Sequence, residues 1–163
     1  MDHDGTTPDS SWKSRNCLSP GEYATSWSLT KTANTQVLFR RVFMWTIILV
    51  RVVQTILIVS YNTFVSKVSS IVFGILFGIL SFLLIFWCLT TIDRAQGRRR
   101  VCGLAISRLH LDLFVASCAF IHLILLAGFW TFLGHISFNV VWFILWASIT
   151  LYGFICTKAP REA

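Results

Sequence analysis

Apolar residues in this chain are gathered into four long blocks instead of the short repeating stripes of a soluble fold. The blocks are Val42–Tyr61, Ile71–Ile92, Leu113–Leu133 and Ile136–Cys156, and the last three contain no Asp, Glu, Lys or Arg. A helix rises 1.5 Å per residue, so roughly 20 apolar residues cross a hydrocarbon layer about 30 Å thick. Each block meets that length. Membrane-spanning strands alternate over ~10-residue segments, and nothing here alternates. Backbone amides and carbonyls find no water in lipid and must pair within the segment, which makes each block a helix. The expected fold is all-α and integral to the membrane: an antiparallel four-transmembrane-helix bundle over residues 37–157, between tails 1–36 and 158–163.

Composition agrees. Hydrophobic residues make up 55% of the 163 and charged residues 13%, against about a quarter charged in a soluble domain. The tail 1–36 is rich in Ser, Thr and Asp and has no periodic apolar face, so disorder is expected there. It lacks the apolar core of a cleavable signal, which leaves insertion to the first span. Residue 2 is Asp, not Gly, which rules out N-myristoylation. Ser19-Pro20 has the pattern of a proline-directed phosphorylation site.

The placement of Lys and Arg orients the spans. Lys13, Arg15, Lys31, Arg40 and Arg41 precede the first; Arg94, Arg98, Arg99, Arg100 and Arg108 lie between the second and third; Lys158 and Arg161 follow the fourth. The opposite side has only Lys67, in the segment Asn62–Ser70, and none in the turn Gly134–His135. Both termini and the central loop Asp93–His110 are therefore expected in the cytoplasm. Trp45 and Trp87 then fall near the inner interface, and Tyr61 and Trp130 near the outer one. The short exterior loops place each helix beside the next, as in an up-down-up-down bundle.

Arg51 lies nine positions inside the first block, roughly 14 Å along its axis. An arginine at such depth costs roughly 2.5 kcal/mol or more, so it is expected to face the bundle and find a partner. Gln54 and Thr55 share its face. Asp112, opening the third span, is the expected partner after Arg51 snorkels toward the cytoplasm. Such a pair reads either as a structural pin between two helices or as part of a substrate or proton site. His122, midway along the third span, reads as a hydrogen-bonded packing residue, since a proton relay needs more ionisable neighbours.

Ser70, Gly74 and Gly78 recur four apart in the second span, a small-residue groove for packing inside the bundle or for self-association. Arg98, Arg99 and Arg100 lie where anionic inner-leaflet lipid would be attracted, at about 1 kcal/mol per basic group, although fixing topology alone explains them. Cys88, Cys102 and Cys156, at or near the cytoplasmic face, are candidates for palmitoylation. No cysteine is exterior, so no disulfide is expected. No Cys/His spacing reads as a zinc site, and no Asn-x-Ser/Thr sequon occurs. No catalytic constellation or cofactor motif is present, which argues against an enzyme. The net charge of +7 is spread over topogenic positions at a membrane and does not read as a nucleic-acid surface.

Three local sequences, Arg51-Val-Val-Gln54, Leu111-Asp112-Leu113 and Trp142-Phe-Ile-Leu-Trp-Ala-Ser148, together with the four-span layout, resemble the MARVEL superfamily, especially its fungal members and the plant Casparian-strip-like membrane proteins. The resemblance covers about residues 37–157, and the tail has no counterpart. It implies a non-enzymatic role in organising membrane domains, trafficking or cell contacts, with self-association or other membrane proteins as partners, at the plasma membrane or an endomembrane. It also implies a pairing of the arginine in the first helix with the aspartate in the third. Exterior cysteines found in some MARVEL proteins are missing here. A small transporter or channel using Arg51, Asp112 and His122 is the alternative, as is an accessory subunit of a membrane complex. Spans two to four lack charge and proline, which disfavours the broken helices of a transporter.

Overall fold

The computed structural model describes residues 19–30, 34–65, 68–95, 97–131 and 136–158. Five helices and one hairpin follow in order: α1 Pro20–Trp27, α2 Thr35–Val65, α3 Val68–Arg94, β1 Arg99–Val101, β2 Leu104–Ile106, α4 Arg108–Thr131 and α5 Ile136–Lys158. Helices α2 to α5 coincide with the four apolar blocks, and each is long and apolar enough to cross a membrane.

Local chemistry explains where they begin. Asn34 caps α2 by accepting the Gln36 N–H on Oδ1 at 3.0 Å. Ser107 caps α4: its carbonyl takes the His110 N–H at 3.1 Å, and its hydroxyl meets His110 Nδ1 at 2.7 Å. With 31 residues, α2 is ~46 Å long and outruns the hydrocarbon layer. The segment Asn62–Ser70, expected as a loop, is thus largely helical, because α2 ends at Val65 and α3 begins at Val68. The turn Gly134–His135 and every expectation on the first eighteen residues lie outside the described residues.

The bundle is apolar outside as well as inside. Phe77, Phe120, Ile124 and Phe143 are each more than 60% exposed on the outer faces, whereas polar Gln54 and His122 are fully buried. That inversion suits a lipid solvent, where outward Leu and Phe cost nothing and inward polar groups hold helices together. Met44, Ile47, Ile85, Leu89, Ile92, Val115 and Ile149 fill the interior at the charged end. The architecture is that of a multi-pass membrane protein.

Helix α3 packs on α2 and α5, and α2 also packs on α4; α4 and α5 touch less. The second and third spans, joined by the longest connection, therefore sit diagonally, not side by side. Two close approaches set the spacing. A Cβ on Gly78 would meet Thr55 Cγ2 at 2.8 Å, and one on Gly153 would meet Cys88 Cβ at 3.0 Å.

Two stretches depart from expectation. Residues 99–106, read as loop, form an antiparallel hairpin with Val101 opposite Leu104. Its two-residue turn has Cys102 at φ 51° and Gly103 at φ 81°, the left-handed pair that matches strand twist in tight hairpins. Residues 20–27 of the tail, expected to be disordered, form α1 and dock on α2 and α3.

Candidate functional site

The end of the bundle that gathers the charges holds an alternating ring of four side chains. Arg40 Nη1 lies 2.7 Å from Asp93 Oδ1, and Arg40 Nε lies 2.8 Å from Asp112 Oδ1. Arg108 closes the ring, with Nη2 3.5 Å from Asp93 and Nε 3.5 Å from Asp112. The Arg40 Nε contact is an ion contact without hydrogen-bond alignment. Arg108 Nη1 also donates to the carbonyls of Ile92 at 2.9 Å and Ala95 at 2.5 Å, the frayed end of α3. Three helices are thus tied together. Arg40 and Asp93 are both 9% exposed and Asp112 is 28% exposed, so the Arg40–Asp93 arm is the desolvated one. A paired buried charge is tolerated; its partner left alone is costly.

This ring replaces the expected Arg51–Asp112 pair. Eleven residues separate Arg40 from Arg51, or ~16 Å along α2. Arg40 begins level with Asp112, whereas a snorkelling Arg51 side chain does not span that rise. The aspartate takes the arginine at its own depth.

Arg51 has other neighbours. Its Nη1 donates to Gln54 Oε1 at 2.6 Å, and Nη2 and Nε donate to Ser81 Oγ at 3.0 and 3.3 Å. Ser81 Oγ in turn donates to the Gly78 carbonyl at 3.0 Å. The guanidinium carbon lies 5.7 Å from the Trp142 ring centroid, and His122 meets the same ring edge-on at 4.9 Å. His122 Nδ1 sits 2.7 Å from the Cys118 carbonyl, which fixes Nδ1 as the protonated nitrogen. Arg51 and Gln54 from α2, Ser81 from α3, His122 from α4 and Trp142 from α5 converge here, so every spanning helix contributes. Thr55, expected beside them, bonds its own helix at the Arg51 carbonyl and backs onto Gly78.

The second feature that the sequence reading lacked is the seat of α1. Arg94 Nη1 pairs with Glu22 Oε1 at 2.9 Å, and Nη2 donates to the Glu22 carbonyl at 2.7 Å. Trp27 stacks on Phe86 at 4.6 Å, meets Trp45 edge-on at 5.5 Å and donates its indole N–H to Thr90 Oγ1 at 2.9 Å. Trp45 donates to the Trp27 carbonyl at 3.1 Å, and Arg41 to that of Ser28. Glu22 accepts the Ser19 N–H on Oε2 at 2.7 Å. That bond first, then the Ser19 hydroxyl and Arg94, hold its carboxyl below the usual range. The signal was present: Ser19-Pro20-x-Glu22 is a capping box with proline at the first helical position.

The remaining candidates divide. Gly78 packs inside the bundle against Thr55, which assigns that end of the small-residue groove to α2 and not to a second copy; Ser70's side chain lies outside the described set. Arg98 and Arg100 are exposed, but Arg99 is 7% exposed, turned inward by strand alternation toward the Cys156 end of α5. The triplet is therefore not one outward patch. Cys88 and Cys156 are buried at 0% and 2%, closed off from an acyl donor by packing, and Cys102 alone of the three candidates is exposed. Comparison with protein-family models, curated proteins and solved structures returns no match to this chain.

Proposed function

We propose that the chain is a non-enzymatic membrane scaffold of MARVEL type, with both termini and the hairpin in the cytoplasm. It would organise membrane domains or trafficking through helix, lipid and partner contacts. The observation that supports this is a bundle cross-tied at one end by the Arg40–Asp93–Arg108–Asp112 ring, with broad apolar faces outward. A rigid body with lipid-facing surfaces is what lateral assembly needs. Arg98, Arg100 and Cys102 project from the same end, where anionic lipid and an acyl chain would anchor it. Its partners on this reading are inner-leaflet lipids, further copies and other membrane proteins, at the plasma membrane or an endomembrane. The test is isolation of the full chain in mild detergent, with its oligomers and co-purifying proteins identified. A strictly monomeric, partner-free protein that lacks preference for anionic vesicles would sink the reading. Orientation is checked by Cys substitution at Lys67 and Arg98: only the former should label from outside intact cells.

A second reading, a small transporter or channel, draws support from the convergence on Arg51 and His122. It proceeds without Asp112, which is engaged in the ring.

A further inference from the structure

The described acidic side chains are Glu22, Asp93 and Asp112, and all three are engaged at the charged end of the bundle. Arg51 therefore carries a full positive charge in the middle of the bundle with no carboxylate against it among the described residues. Charge at this depth is strongly disfavoured unless neutralised. A guanidinium offers five N–H donors. Gln54 and Ser81 engage three of its N–H groups, and the other two have no partner among the described residues.

None of the neighbours adds negative charge, and Gln54 adds donors. Gln54 is fully buried, and its amide Nε2 has no hydrogen-bond partner among the described residues. Its orientation is set, because Oε1 receives Arg51 Nη1 at 2.6 Å. Covalent geometry then keeps Nε2 within ~5 Å of the guanidinium, with two more N–H groups to offer. Turning the amide over would set donor against donor. His122 Nε2 is likewise buried and has no partner among the described residues. With Nδ1–H committed to the Cys118 carbonyl, a neutral ring presents a lone pair at Nε2, suited to a bridging water or a ligand O–H.

We propose that Arg51 and Gln54 form a binding site for a small monovalent anion, a carboxylate or a halide, at mid-depth in the bundle, with His122 on its wall and the His122 Nε2 lone pair met through a bridging water. The anion neutralises Arg51, accepts the free guanidinium and Gln54 N–H groups, and is backed by Trp142. Its single charge matches the single positive charge of Arg51. The site stands whether or not the bundle assembles with partners.

The test uses the full chain in detergent, exchanged into sodium gluconate, a bulky and strongly hydrated counter-ion. Chloride or acetate then replaces gluconate at constant ionic strength while Tm is followed. The expected result is a saturating rise in Tm with at least one of the two probes. Gln54→Leu keeps volume but deletes the amide, and should raise the half-saturating concentration about tenfold. Arg51→Met should abolish the response while leaving Tm in gluconate at or above the wild-type value, because it removes an uncompensated charge. A response that never saturates, or one with the same midpoint in Gln54→Leu, overturns the proposal. Should Arg51→Met fail to fold, Gln54→Leu decides.

Discussion

Arg40 Nε and Asp112 Oδ1 lie 2.8 Å apart, joining the first and third spanning helices at the level where both begin and end their polar flanks. Asp112 is shared with Arg108 one turn back on its own helix, and Arg40 is shared with Asp93 on the second span. No member of the ring serves only one partner, so the loss of one is felt by two.

Removal of the better-buried acid should cost more. Asp93→Ala is expected to destabilise by about 3 kcal/mol, in the range for a broken buried pair. Asp112→Ala, more exposed, is expected to cost about 1–2 kcal/mol. A double-mutant cycle on Arg40 and Asp112 should show coupling of about 1 kcal/mol, whereas Arg51 and Asp112 should add within about 0.5 kcal/mol. Unfolding in detergent supplies the measurement, and strong coupling of Asp112 to Arg51 would contradict the ring.

Trp27→Ala should release α1 without unfolding the bundle. Its indole stacks on Phe86 and donates to Thr90, so truncation forfeits about 3 kcal/mol of docking. Amide hydrogen exchange should accelerate across residues 20–27 and stay slow along α3. Uniform acceleration of both would mean that α1 is a structural part of the bundle and not a docked element.

The Glu22 clasp predicts an acid-sensitive tail. A carboxyl depressed from its ordinary 4.5 contributes docking stability that is complete above that value and fades as pH falls through its lower folded value. Exchange protection of α1 should therefore hold from neutral pH down to the ordinary 4.5 and decline only below it. Glu22→Gln should dock more weakly at neutral pH and show a flatter acid profile. An unchanged profile would remove Glu22 from the clasp.

Thiol chemistry should discriminate the cysteines. In a Cys17→Ser background, a bulky maleimide should label Cys102, at the exposed hairpin tip, within minutes. Cys88, Cys118 and Cys156 should wait for denaturant, since packing covers each of them. Rapid modification of Cys156 in the native protein would reopen it as an acylation site.

The four spans were legible because bilayer thickness imposes a length that composition alone reveals. The pairing of Arg51 with Asp112 was not, since sequence records which residues are ionisable but not their relative heights across helices. Arg40 was read as a topogenic charge at the edge of the span. In three dimensions that edge is where Asp93 and Asp112 meet, so a topogenic arginine also becomes an interhelical tie. The α1 segment was misread for the opposite reason. Its capping box is local and visible, yet an eight-residue helix is too short to persist alone. Its stability comes from Phe86, Thr90 and Arg94, which periodicity within the tail does not show. Arg98 to Arg100 read as one basic run until strand alternation divided them.

The contacts that hold α1 reach far along the chain: Glu22 waits for Arg94, 72 residues later, and Trp27 for Thr90, 63 residues later. During synthesis the first eight-residue helix is complete long before its seat exists. It cannot settle until α3 has been made and has turned back beside α2. Ordering of this segment therefore reports that the first two spans have been inserted and have met. Until then, Trp27 and Tyr23 remain available to whatever escorts the growing chain.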